Sequence, residues 1–248
     1  MSRSDRVLIS TVGELSVLAD PDRPSGRLLR QDDMDASYVD LADSSHLEFD
    51  YLRWMRLVLR AAGARRVIHL GGGACTLARA LLADDPGSRQ RVYELDARVL
   101  ELARAHMGLR RQPGLRVQVG DGRGALDGLA DASGDAIVID AFTGARVPRH
   151  LVTVEALRDC ARVAALTLVN VVDTAGLADA RAIAAGLAEA YPAVAALAGP
   201  KRRGNIVLFA AASMPDLAGI ESRAAGDRSP ARLVRGGELA GAGAWRDR

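Results

Sequence analysis

At 248 residues, 49% of them hydrophobic and with a formal net charge of +2, the chain is long enough to bury one sizeable core and too apolar to be disordered. Acids and bases are interspersed, which argues against a nucleic-acid partner, and Lys201 is the only lysine, an arginine bias that reads as high-GC coding rather than a functional surface. Cys75 and Cys160 form neither a disulfide framework nor a metal-ligand spacing, so no metal and a reduced, cytoplasmic setting are expected; no signal-peptide-like N-terminus and no membrane-length apolar stretch is seen.

In chain order, residues 1–45 read as a small β region. Val7-Leu8-Ile9 and Glu14–Leu18 are short strand patterns, Asp20–Gly26 is a dense turn signal, and Arg27–Arg30 and Ser37–Leu41 can pair back as strands. Such a sheet is too small to be stable alone and must pack on the main domain or on a second subunit. From His46 to Ala62 the apolar spacing turns helical through Leu47, Tyr51, Trp54, Leu57 and Val58, with Ser44 or Ser45 as N-cap and Gly63 as the stop.

Residues 46–212 then continue as a regular β/α alternation. Strands are expected at Arg66–Leu70, Arg91–Glu94, Leu115–Val119, Asp135–Asp140 and Leu166–Val172. Helices are expected from the glycines to about Ala83, at Ala97–Met107, Gly124–Leu129, Thr153–Ala164 and Gly176–Tyr191. Ala193–Leu197 and Ile206–Ala210 make a terminal strand pair. This is an α/β fold with an open, mostly parallel sheet covered by helices on both faces. Residues 213–248 read as one helix near Asp216–Ala225 followed by a flexible Gly/Ala/Arg tail.

In such a sheet the ligand groups lie at the carboxyl ends of neighbouring strands. Here those ends carry Gly71-Gly72-Gly73, then Glu94, then Asp121-Gly122, then Asp140-Ala141-Phe142. The glycines allow a sharp turn and close approach of a ligand. Glu94 is placed for two ribose hydroxyls, Asp121 for an adenine amino group, and Asp140 for the reacting end. Asp96 and Asp121 read equally well as helix N-caps. Neither G-x-G-x-x-G nor G-K-[ST] is present, which disfavours pyrophosphate and phosphate ligands. An adenosyl compound without phosphates fits, S-adenosylmethionine or a relative.

These residues resemble the spermidine synthase family. The resemblance rests on Val67–Gly73, Val92–Asp96, Gly120–Gly122 and Asp135–Phe142, and extends to Ser37–Leu41, His46–Tyr51, Pro148, Leu151, Thr153, Glu155 and Arg202–Leu208, over roughly residues 27–212. It implies a small N-terminal β domain before a methyltransferase-like Rossmann domain, usually in a homodimer. It also implies Glu94 on the ribose, Asp121 on the adenine and Asp140 as general base on an attacking amine, with Tyr51 and Phe142 as substrate-side candidates. By its position on the apolar helix face, Tyr51 reads as core alongside Trp54.

The departures lie on the amine side. Ala74 stands where the family has Asp, Thr143 where it has a second loop aspartate, and Leu52-Arg53 where it has His-Glu; an Arg there would repel a diamine. The expected acceptor is therefore a small molecule, an amine other than plain putrescine. Decarboxylated S-adenosylmethionine as donor would give methylthioadenosine. Two alternatives stand beside this: a methyltransferase using intact S-adenosylmethionine and releasing S-adenosylhomocysteine, and a non-catalytic adenosyl-nucleoside-binding protein. His69 reads as a strand-core histidine, Cys75 as a small packing residue, and Arg202-Arg203 as a solvated turn.

Overall fold

The computed structural model describes residues 6–32, 34–173, 177–200 and 204–247. The first four strands, β1 (Val7–Val12), β2 (Leu15–Ala19), β3 (Gly26–Gln31) and β4 (Met34–Asp40), form an antiparallel meander in chain order. Its inner face does not close on itself. Leu15, Val17, Leu29 and Val39 pack against Cys75, Ala78, Val99, Leu100 and Met107 of α2 (Thr76–Asp84) and α3 (Ala97–His106) and their flanks. The sheet that was too small to stand alone is thus stabilised by the helices that follow it.

The second sheet has eight strands. Besides β5 (Arg66–Leu70), β6 (Arg89–Glu94), β7 (Leu115–Val119), β8 (Ala136–Ile139) and β9 (Leu166–Asp173), it contains β10 (Ala193–Ala198), β11 (Gly204–Ala211) and β12 (Arg232–Arg235). Their order is β12-β10-β11-β9-β8-β5-β6-β7. The first five pair in parallel, and β11, β10 and β12 add antiparallel strands at one side. β8 is fully buried, as its uninterrupted apolar run requires. One face carries α4 (Gly122–Asp127), α5 (Val154–Val163) and α6 (Ala178–Ala190) over Leu70, Ile137, Ile139 and Leu208. The other carries α1 (Asp50–Ala61) and α7 (Leu217–Ala225) over Val67, Val138, Leu168 and Phe209.

Two local differences from the sequence expectations stand out. Helix α1 begins later than Ser44 or Ser45, after Phe49, and no side chain caps it; Ser45 instead offers its carbonyl to Arg56 at 3.0 Å. Gly63 does end the helix, with a positive φ of 64°. Beyond Ala225 the chain is not a free tail: β12 joins the sheet edge beside β10. Residues 240–247 then run back along α5, where Arg149 lies over the Trp245 ring at 5.0 Å and Val154 donates to the Trp245 carbonyl. Gly176 and Arg202-Arg203 lie outside the described residues.

Candidate active site

The strand order reverses between β5 and β8, and the crevice of a parallel sheet opens at the carboxyl ends of strands at such a point. Backbone hydrogen bonds carry the ends into register: Gly71 N–H donates to the Tyr93 carbonyl at 2.9 Å, Asp140 N–H to the Leu70 carbonyl at 3.0 Å, and Gly120 N–H to the Glu94 carbonyl at 2.9 Å. A cleft of about 250 Å³ results. Gly71, Gly73, Glu94, Asp121, Gly122, Asp140, Phe142 and Tyr51 all line it, and Gly72 lines a smaller chamber directly beneath. The strand-end residues Gly71–Gly73, Glu94, Asp121, Gly122 and Asp140, with Tyr51 and Phe142, are therefore brought to one place.

The glycine turn is held from both sides. A side chain on Gly71 would collide with the backbone of Asp140 and Ala141, and one on Gly72 with Val92. Glu94 Oε2 accepts from the Gly72 and Gly73 N–H groups at 3.1 and 2.9 Å, while its Oε1 accepts from Asp96 N–H. Ala74 N–H donates to Ser37 Oγ at 3.2 Å, and Thr76 Oγ1 donates to the Tyr38 carbonyl at 2.9 Å. Cys75, in the left-handed region at φ 61°, provides no side-chain cap; Ser37 of β4 holds the turn just before the helix through Ala74 N–H. The turn's amides, which would cradle a phosphate in other nucleotide sites, are already engaged, and mostly by a carboxylate that repels anions.

Asp140 follows β8 directly. In the β8–β9 register Ile139 pairs with Val169, so the next residues, Asp140 and Asn170, stand side by side. Asn170 Nδ2 donates to Asp140 Oδ1 at 2.9 Å, and the Tyr51 phenol also faces this carboxylate. Burial raises the Asp140 carboxyl to about 6 despite these two donors, and the nearby Glu94 charge adds to the rise. Asn170 Oδ1 is buried with no hydrogen-bond partner among the described residues. Burial and the Asp140 charge hold the Tyr51 hydroxyl well above the ordinary phenol range, so it stays protonated.

Asp121 caps α4 by accepting from Gly124 N–H at 3.1 Å, and its other oxygen lies 2.9 Å from His150 Nε2. Its burial opposes ionisation, but these partners leave it below the usual carboxylate range. Asp96 likewise caps α3, so both helix-cap readings hold. His69 is buried against Gln90 Oε1 at 2.9 Å and lowered by burial to about 4. Cys75 is buried, and desolvation pushes its thiol up to about 12, so it packs rather than reacts.

Two of the departures on the amine side have structural roles. Arg53 turns away from the cleft, binding Asp227 at 2.9–3.1 Å and donating to the Leu47 and Glu48 carbonyls. Ala74 is fully buried in the core between α2 and β4. Conversely, Asp32 and Asp35 of the meander, Asn170 and Asn205 line the cleft, and Glu48 and Asp50 line its outer approach. Asn170 was hidden because it sits as the single amide in the apolar run Leu166–Val172. Among the described lining residues of the cleft, His150 is the only basic group and no Arg or Lys is present. No group of three His, Cys, Asp or Glu among the described residues is arranged to hold a metal ion, and no described helix is long and apolar enough to cross a membrane.

No family model matches the chain. Over 95 residues it is 35% identical to a polyamine aminopropyltransferase of Vibrio vulnificus (strain CMCP6), a match covering 38% of this chain and 31% of that protein. The aligned stretch thus spans about a third of the length of that curated relative. Along almost its whole length it is similar to a probable spermidine synthase from Corynebacterium glutamicum ATCC 13032, at 32% identity and a TM-score of 0.86, covering 94% of this chain and 93% of that one. The fold is also that of human methyltransferase-like protein 13, solved in complex with SAH, at 18% identity and a TM-score of 0.59, covering 69% and 87%.

Proposed function

The chain belongs to the spermidine synthase-like family, and on that premise we propose that it transfers an alkyl group from an S-adenosyl-type sulfonium donor to an amine, with Asp140 as the general base. The observation that carries this reading is Asp140 itself: a buried carboxyl at the strand-order reversal, raised to about 6 and clamped by Asn170 and Tyr51. A base of that affinity is ionised near neutrality yet strong enough to take a proton from an ammonium as it becomes a nucleophile. The amine nitrogen then attacks the carbon beside sulfur, the carbon–sulfur bond breaks with its electron pair left on sulfur, and the proton stays on Asp140. Asn170 Oδ1, without a partner among the described residues, accepts a second N–H and orients the nitrogen.

The donor set of the cleft fits an adenosyl sulfonium. Glu94 would take the ribose hydroxyls and Asp121 the adenine amino group. Glu94 on the turn amides disfavours NAD and other pyrophosphate ligands. The lining acids, with no Arg or Lys among the described residues, attract two cations, the sulfonium and the amine. They would repel a methionine carboxylate, so decarboxylated S-adenosylmethionine is favoured over the intact compound, and aminopropyl transfer over methyl transfer. Arg53, neutralised by Asp227 and turned away, poses no barrier to a diamine. The working form we propose is a cytoplasmic homodimer of an N-terminal β region (residues 1–45), a Rossmann domain (46–212) and a C-terminal segment (213–248).

Calorimetric titration with decarboxylated S-adenosylmethionine, intact S-adenosylmethionine, methylthioadenosine and NAD tests this. Tightest binding of the decarboxylated donor, followed by loss of turnover in Asp140→Asn, is the expected result. Failure of every adenosyl ligand to bind, or binding of NAD alone, overturns it; donor binding with unchanged turnover in Asp140→Asn removes Asp140 as base.

A further inference from the structure

At the opposite end of the same strands lies a second cleft, open and about 660 Å³ in volume, whose charged lining consists of Arg66, Arg89, Arg91 and Arg116. It forms because the helical layer stops short. The core on this face reaches β5 through Ile68 and Leu70, but the residues next in register are Arg91 on β6 and Arg116 on β7. Arg66 and Arg89 are a second register pair one step earlier. Four guanidinium groups therefore emerge from one uncovered sheet face, in two directly opposed like-charge pairs on strands about 4.8 Å apart.

Many arginines elsewhere in this chain find carboxylates, as Arg65 does in Asp85, Arg98 in Asp96 and Glu14, and Arg162 in Asp131, while Arg27 and Arg79 bond to backbone carbonyls. In the cleft only Arg66 finds a carboxylate, that of Asp135. Arg89, Arg91 and Arg116 have no carboxylate or other hydrogen-bond partner for their guanidinium groups among the described residues, and the cleft has no acidic residue in its lining. Ser133, also on the wall, has a buried hydroxyl without a partner among the described residues. Opposed like charges on neighbouring strands cost stability, and no described residue supplies the counter-charge.

We propose that this cleft is a binding site for a small polyphosphate-class oxyanion, a ligand distinct from those of the adenosyl cleft. Planar guanidinium groups bind phosphoryl oxygens in pairs of parallel hydrogen bonds. A concave site with three unpaired arginines matches several linked phosphates rather than one. Inorganic tripolyphosphate and the triphosphate of a nucleotide share this chemistry.

The test is calorimetry and thermal unfolding of the full chain with tripolyphosphate, ATP and orthophosphate, in the presence of saturating methylthioadenosine, for the wild type and for Arg91→Gln and Arg116→Gln. Tripolyphosphate should bind at least tenfold tighter than orthophosphate, raise the melting temperature, and lose at least tenfold in affinity in either variant. Because each variant removes one member of a repelling pair, its unliganded melting temperature should rise. ATP binding more tightly than tripolyphosphate assigns the site to nucleotides; tripolyphosphate binding as tightly or more tightly assigns it to the inorganic chain. Absence of tripolyphosphate binding, or affinity unchanged in both variants, overturns the proposal, as does an RNA oligomer that binds through these arginines and is not displaced by tripolyphosphate. Tripolyphosphate has no nucleoside, so this result is independent of the adenosyl titrations.

Discussion

Asn170 Nδ2 donates to Asp140 Oδ1 at 2.9 Å across the gap between two adjacent parallel strands. The pairing follows from the strand register alone, since each residue comes directly after a register partner, Val169 or Ile139. The amide stabilises the ionised carboxylate, against the burial that raises it. Replacing Asn170 by Leu removes that donor, so the Asp140 carboxyl must rise further above 6. A hydrogen bond to a charged group contributes about 1.5–3 kcal/mol, or about one to two pH units. The acidic limb of the kcat profile should move up by about that much, with activity at pH 7 falling about two- to tenfold. An unmoved limb would mean that Asn170 does not act on Asp140.

Asp140 also carries a stability signature. Its carboxyl titrates near 6 in the folded chain and near 3.9 in the unfolded one, so the unfolded state ionises first. Stability linked to this group is fully present below the unfolded value and is lost as pH rises through about 6. Asp140→Asn cannot ionise and keeps an oxygen for Asn170. It should exceed the wild type in stability by about 1–3 kcal/mol at pH 8, with the difference closing at pH 4. Urea unfolding at the two pH values measures this; equal stability at pH 8 would show that the buried charge is well compensated.

Arg53 gives a test in which two readings diverge. As a positive charge facing the amine it would raise the acceptor KM. As a strut between α1 and the end of α7, through Asp227, it would stabilise the fold. The pair is mostly shielded, with side-chain exposures of 15% and 20%. Arg53→Ala should leave the acceptor KM within about twofold and cost about 1–3 kcal/mol of stability, the penalty for leaving Asp227 without its partner. A large fall in KM with no loss of stability would restore the electrostatic reading.

Arg53 also shows where sequence reading stops. Its partner is 174 residues away in the chain, and no local pattern reports such a contact. The strand and helix order was legible because β8 is an unbroken apolar run and because Asp96, Asp121 and Thr153 stand where helices need N-caps. The strand-end acids were legible because parallel α/β sheets place ligands there. Asn170 was not: a polar residue in an apolar strand looks like a core exception until register sets it beside Asp140. Nor was β12, whose four residues, Arg232–Arg235, begin and end in arginine and form a strand only because β10 offers a free edge.

The glycine turn offers a test by compensation. A methyl group at Gly72 would press on the Val92 side chain, which is fully buried beneath the turn. Gly72→Ala should therefore cost about 1–3 kcal/mol through overpacking and disturb the amides that hold Glu94. Val92→Ala alone should also destabilise, by leaving a cavity. Together the two changes relieve each other, so the double variant should be less destabilised than the sum of the singles by about 1 kcal/mol or more, and should recover adenosyl-ligand affinity lost in Gly72→Ala. Gly71→Ala is the control. At φ 84° its new methyl meets the backbone of Asp140 and Ala141, which no side-chain truncation can move, so adding Val92→Ala should bring no recovery. Urea unfolding of the five proteins, with calorimetry against methylthioadenosine, separates these cases; additive losses in the Gly72–Val92 pair would show that the turn relaxes by another route.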